Sequence, residues 1–140
     1  MEITNNAVQT VASNQDVLFT ETAVAGNSST VHRQGSGLVT LRGLTNCQSR
    51  ARFRVTFGAN IAVPADGTAG PISVALAIDG EPINTTTMIF TPAAVSTYGN
   101  VFGAIFIDIP RGCYGRVSVR NTSTAAISVQ NANLIIERVA

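Results

Sequence analysis

The stretch Pro71–Phe90, PISVALAIDGEPINTTTMIF, places the strongest constraint on what this chain can become. Ile72, Val74, Leu76 and Ile78 recur at every second position, with Ser73, Ala75 and Ala77 between them. A period of two turns successive side chains to opposite faces, so the pattern specifies a half-buried β-strand and not a helix. Asp79-Gly80 follows, two residues that tolerate the positive φ of a tight hairpin turn. A return strand through Ile83, Thr85, Thr87 and Ile89 completes the expected hairpin, with Pro82 at its start, where a missing N–H does least harm. A chain built on such a unit must bury one face of a sheet.

The same alternation recurs along Arg50–Phe57, where Ala51, Phe53, Val55 and Phe57 share one face and Arg50, Arg52, Arg54 and Thr56 the other. Val101–Ile109, VFGAIFIDI, is apolar on both faces, with Phe102 and Phe106 opposite Val101, Ile105, Ile107 and Ile109. Such a strand needs a cover beyond its own core. Shorter strand-like segments are Ala7–Val11, Val17–Thr22, Leu38–Leu41, Arg116–Arg120, Ile127–Val129 and Ala132–Val139. Turn-rich residues separate them at Ser13–Asp16, Gly26–Ser29, His32–Gly37, Asn46–Ser49, Gly58–Gly70, Pro110–Gly112 and Asn121–Ser123. No apolar period of 3.6 persists for the length of a helix. About eight to ten short strands predict an all-β antiparallel sandwich or barrel. It is expected to form one domain over residues 1–140, with 1–37 supplying N-terminal strands and loops.

Charged residues are 12% of the chain and hydrophobic ones 45%, which excludes a disordered, solvating chain. The neutral-polar or covered surface this implies bears a formal net charge of only +1, with no bulk attraction to nucleic acid or to an anionic membrane. All nine basic residues are Arg. Arginine suits bidentate, partly buried ion pairs, so the bias points to interfaces. No cationic start leads into an apolar run, and the expectation is a cytosolic product, for which the N-x-S/T matches at Asn27, Asn84 and Asn121 carry no meaning. Cys47 and Cys113 are then expected as buried or half-exposed free thiols.

Chemistry has few footholds. The lone His32 with Ser28, Ser29 or Ser36 could suggest a nucleophilic triad, but no G-x-S-x-G elbow is present. His32, Cys47 and Cys113 are too few for zinc, and Asp66, Asp79 and Asp108 lack the clustered spacing of a calcium loop. An ion on an oligomer axis is a remaining alternative for these acids. The Arg50/Arg52/Arg54 ladder reads either as a phosphate stripe or as an ion-pair surface between subunits. A near-neutral chain without aromatic platforms favours the second. A lectin reading rests on polar loops alone, without Trp. No catalytic residue, metal or cofactor is expected.

The hairpin ISVALAIDGEPI, the strand RFRVTFGANI and the C-terminal NLIIERVA resemble the tumour-necrosis-factor/C1q-like jelly-roll family, most closely the C-terminal domain of the collagen-like BclA spore glycoprotein. The long Gly-X-Y stalk of that glycoprotein is missing here. The opening ITNNAVQTVASNQDVLFTET and the central HRQGSGLVTLRGLT are also similar to small proteins of gut Firmicutes and their phages. The resemblance implies a homotrimeric jelly roll with one sheet around the three-fold axis. It implies a non-enzymatic structural role in a larger assembly: a phage capsid decoration protein or the head of a fibre or spike, located in the virion. A bacterial surface or spore-coat trimer, or a carbohydrate- or receptor-binding module, is the alternative. In such a fold the Arg50–Phe57 strand lies between the last strand and the Val101–Ile109 strand. Arg50, Arg52, Arg54, Phe102, Phe106, Asp108, Ile135, Glu137 and Val139 are then the expected trimer interface. Loss of Asp108 or Glu137 should weaken the trimer, whereas an ordinary surface acid such as Glu2 should be dispensable.

Overall fold

The computed structural model describes residues 1–45 and 47–140. The strands are β1 (Glu2–Asn5), β2 (Gln9–Val11), β3 (Glu21–Val24), β4 (Thr30–His32), β5 (Val39–Arg42), β6 (Arg50–Ala62), β7 (Ile72–Ile78), β8 (Glu81–Pro82), β9 (Met88–Phe90), β10 (Gly99–Pro110), β11 (Tyr114–Asn121) and β12 (Ile127–Arg138). A 3-10 turn at Asn84–Thr86 is the only helical element among the described residues. The first sheet has the order β10-β6-β12-β1-β3, with β2 also on β12; the second has β4-β5-β11-β7-β8, with β9 also on β7. All pairings are antiparallel. The result is an all-β jelly-roll sandwich.

Pleat alternation builds the core. From β6 come Ala51, Phe53, Val55, Phe57, Ala59 and Ile61; from β7 and β11 come Val74, Leu76, Val117 and Val119, all buried. Phe19 and Phe57 meet edge to face between the layers, with ring centroids 6.4 Å apart. That geometry sets the positive edge of one ring against the negative face of the other. Asn121, fully buried at the end of β11, donates to the carbonyls of Val11 and Ala125 and accepts from the Ser123 amide. Its side chain ties the end of β2 to the loop that follows β11, satisfying buried polar groups at both.

Several sequence expectations are corrected. The return strand after Asp79-Gly80 is broken: only Glu81 and Pro82 pair with Ile78 and Ala77 before the chain enters the 3-10 turn, and pairing resumes at Met88. Local hydrogen bonding by Thr side chains outcompetes the ladder here. The Thr86 hydroxyl accepts from the Leu76 amide at 3.0 Å and reaches the Ile83 carbonyl at 2.6 Å. The β7 strand is also not half-buried, since Ala75 and Ala77 on its second face are fully covered.

The expected loop Gly58–Gly70 starts late, because β6 runs on to Ala62. Flanking strands on both sides hold Gly58 in the ladder, opposite Phe102 on β10 and Asn133 on β12. The two C-terminal segments are one strand with a bulge between Gln130 and Asn133, where Asn131 takes φ 55°. The extra residue shifts the inward phase, from Ile127 and Val129 to Ala132, Leu134 and Ile136. Val17–Thr22 alternates in burial yet crosses between sheets, bridging Arg120 at Asp16 and entering the first sheet only at Glu21. Thr30–His32, which includes the start of an expected loop, is a strand. The strands outnumber the expectation, and three of them are long, at 12 to 13 residues. Cys47 and Cys113 are free but exposed, not buried. The expected turn Asn46–Ser49 begins outside the described residues.

Candidate functional site

The outer face of the first sheet collects the arginine ladder. Because Ala51, Phe53 and Val55 point into the sandwich, Arg50, Arg52 and Arg54 point out, between β10 and β12. Register then selects their partners. Asp108 lies opposite Arg52, and Arg54 lies between Phe106 on one side and Glu137 on the other. Arg52 donates from Nε and Nη2 to the two Asp108 oxygens at 2.8 and 3.0 Å, a bidentate pair. Arg50 approaches the same carboxylate at 3.2 Å, and Arg54 donates to Glu137 at 3.0 Å. The Arg54 guanidinium also sits 5.5 Å from the Phe106 ring centroid.

These pairs shift the ionisation of their members. The hydrogen bonds from Arg52 hold the Asp108 carboxyl below the usual carboxylate range, and the same contact raises the Arg52 guanidinium. Beside the ion pairs the face turns apolar. Phe102 is 67% exposed, Phe106 57%, and Ile135 and Val139 each 40%. The structure thus brings Arg50, Arg52, Arg54, Phe106, Asp108 and Glu137 into one cluster, with Phe102 and Ile135 beside it on the same face. Glu2 is not the indifferent acid expected: it is half-buried on the same sheet and accepts from the Asn133 amide at 2.6 Å. Glu21, Asp66 and Glu81 are exposed acids without such contacts.

Asp79 and Gly80 both adopt positive φ, 50° and 84°, and Asp79 Oδ1 accepts from the Arg116 amide at 2.9 Å.

The other candidates stay apart. His32 Nε2 donates to the Ser36 carbonyl at 3.0 Å, which leaves Nδ1 to accept from the Thr22 hydroxyl at 3.1 Å. Neither ring nitrogen reaches a serine hydroxyl, so the Ser28, Ser29 and Ser36 candidates form no triad. Among the described residues no group of three His, Cys, Asp or Glu side chains is placed to hold a metal ion.

A second arginine site was missed in the sequence. On the outer face of the second sheet, Arg42 lies directly opposite Tyr114, and Thr40 opposite Arg116. The Arg116 guanidinium lies 5.6 Å from the Tyr114 ring centroid. Together with Leu44 and Cys113 these residues line an open cleft of ≈ 380 Å³. No carboxylate among the described residues pairs with Arg42 or Arg116. The signal was present as alternation, Thr40 and Arg42 against buried Val39 and Leu41, but four residues are too few to stand out.

Two stacked antiparallel sheets with almost no helix define the fold class, an all-β jelly-roll sandwich, and a C1q globular domain is among the solved structures it is similar to. The globular domain of zebrafish complement 1qA protein superposes with a TM-score of 0.60 at 14% identity, over 96% of this chain and 93% of that one. The EclA C-terminal domain, a sugar-binding protein, gives a TM-score of 0.43 at 16% identity, covering 95% of this chain and 80% of its own. The CBM35 module of Cellvibrio japonicus Abf62 gives 0.40 at 12% identity, over 100% and 98%. No protein-family model and no curated protein matches the sequence.

Proposed function

We propose that this chain is a non-enzymatic structural protein that assembles as a homotrimer through the outer face of its first sheet. The observation that carries the reading is β10, a 12-residue strand at the edge of that sheet with Phe102 and Phe106 held out from it. A long edge strand with exposed aromatics is an aggregation hazard unless a defined partner covers it. A copy of the same chain is the partner argued for here, because the charges beside the phenylalanines are already paired within one chain. Three arginines face two carboxylates, so the face can be covered with little uncompensated charge.

The trimer is read as a virion component, a capsid decoration protein or the head of a fibre or spike, without a role for nucleic acid, membrane or cofactor. The bacterial surface or spore-coat trimer remains the second reading, favoured by the same face. An antibody raised against the chain should label particles banded in a density gradient. Label confined to cells or spores selects the second reading.

A further inference from the structure

We propose that the cleft on the outer face of the second sheet binds an acidic saccharide, a sugar ring carrying a carboxylate or a sulfate. Arg42 and Arg116 stand on adjacent strands as a diagonal pair, two residues apart in register, and both project to the outside. Two like charges so placed repel, and no acid relieves them among the described residues. The carboxylate closest in sequence register, Asp79, spends one oxygen on the Arg116 backbone amide and forms no ion pair with its guanidinium. An anion placed between the two forks satisfies both, and guanidinium groups recognise carboxylate and sulfate geometry through paired N–H donors.

The rest of the lining selects what carries the anion. Tyr114 is 62% exposed, and Leu44 supplies a second apolar wall, while Thr40 offers a hydroxyl. An aromatic face beside polar donors suits the apolar face of a pyranose ring better than it suits a bare ion. The cleft volume of ≈ 380 Å³ lies at the small end of ligand sites, enough for a short saccharide. A peptide adding as a strand is disfavoured, since β5 already has β4 on one edge and β11 on the other. The whole lining comes from one chain, so the site is complete with or without assembly. Its failure and the failure of the trimer reading are therefore separate results.

The test is a titration of isotope-labelled full-length chain, followed by amide shifts, with four probes. They are a uronate-containing disaccharide, an O-sulfated disaccharide, their neutral parent and inorganic sulfate. At least one acidic sugar should shift the amides of Thr40, Arg42 and Cys113–Arg116, and bind about tenfold or more tighter than the neutral parent. Which acidic sugar does so names the anion. Arg42→Gln and Arg116→Gln should each weaken that binding by about tenfold or more at an unchanged melting temperature, with Tyr114→Ala weakening it as well. Equal binding of the neutral parent, no binding by either acidic sugar, or sulfate alone binding as tightly as the acidic sugar overturns the proposal. So does full binding by both Gln variants.

Discussion

Arg50, Arg52 and Arg54 on one face of the sandwich each stand within 3.2 Å of a carboxylate, whereas Arg42 and Arg116 on the opposite face meet none among the described residues. Both sets are produced by the same device, a strand whose even positions point outward. What differs is the neighbouring strands. β10 and β12 bring Asp108 and Glu137 to the first set; β11 brings a second arginine and a tyrosine to the other. Exposed ion pairs stabilise a lone chain little. Their value lies in what they permit: a paired guanidinium can be covered by a protein surface, and an unpaired one cannot without cost. On the proposed reading, one face suits burial against another copy and the other suits an anion.

The largest break in this comparison is Phe102→Asp. It plants an unpaired carboxylate in the apolar part of the first face and should dissociate the assembly, leaving a monomer with the parent's circular dichroism. Gly80→Val strikes the second sheet instead. A β-branched residue at φ +84° is strained, so the variant should lose ~1–3 kcal/mol of stability in chemical denaturation. An unchanged midpoint would remove the turn from the argument.

Asp108→Ala and Glu137→Ala are subtler. Each leaves a guanidinium to be covered without its partner, so dissociation should begin at a higher protein concentration than for the parent. Asp66→Ala is the control and should match the parent. Acid should act in the same direction. Asp108 has a lowered pKa, so the stability it contributes is present above the ordinary carboxylate range and is lost as pH falls through its depressed folded value. Assembly followed by gel filtration should therefore hold at neutral pH and weaken only below the ordinary carboxylate range. Smallest of all is the effect of Arg42→Gln or Arg116→Gln on folding. With no ion pair to lose, either should stay within about 0.5 kcal/mol of the parent in denaturation.

The sequence made the first face legible and left the second obscure, for a physical reason. Arg50–Phe57 alternates without interruption, and its flanking strands are apolar enough to announce themselves. The nearness of the three arginines to Asp108 and Glu137 follows from the strand order that the C1q-like resemblance implies, and the structure has that order; the pairing of Arg52 with Asp108 is set by register. The second face depends on β5 and on the first residues of β11, where alternation lasts only a few positions beside Gly43 and Gly115. Strand interruptions were hidden for a different cause. Nothing local marks Asn131 as a bulge or Thr86 as a hydroxyl that stands in for a strand. Both roles are set by partners distant in sequence, Ala62–Gly58 on β6 and Leu76 on β7.

The most direct test of the account is the mass of the native chain by multi-angle light scattering at micromolar concentration and neutral pH. The account predicts three times the 14.6 kDa of one chain, falling to a single chain mass for Phe102→Asp. A parent that runs as a monomer contradicts it, because Phe102 and Phe106 would then have no cover and the paired arginines no face to prepare.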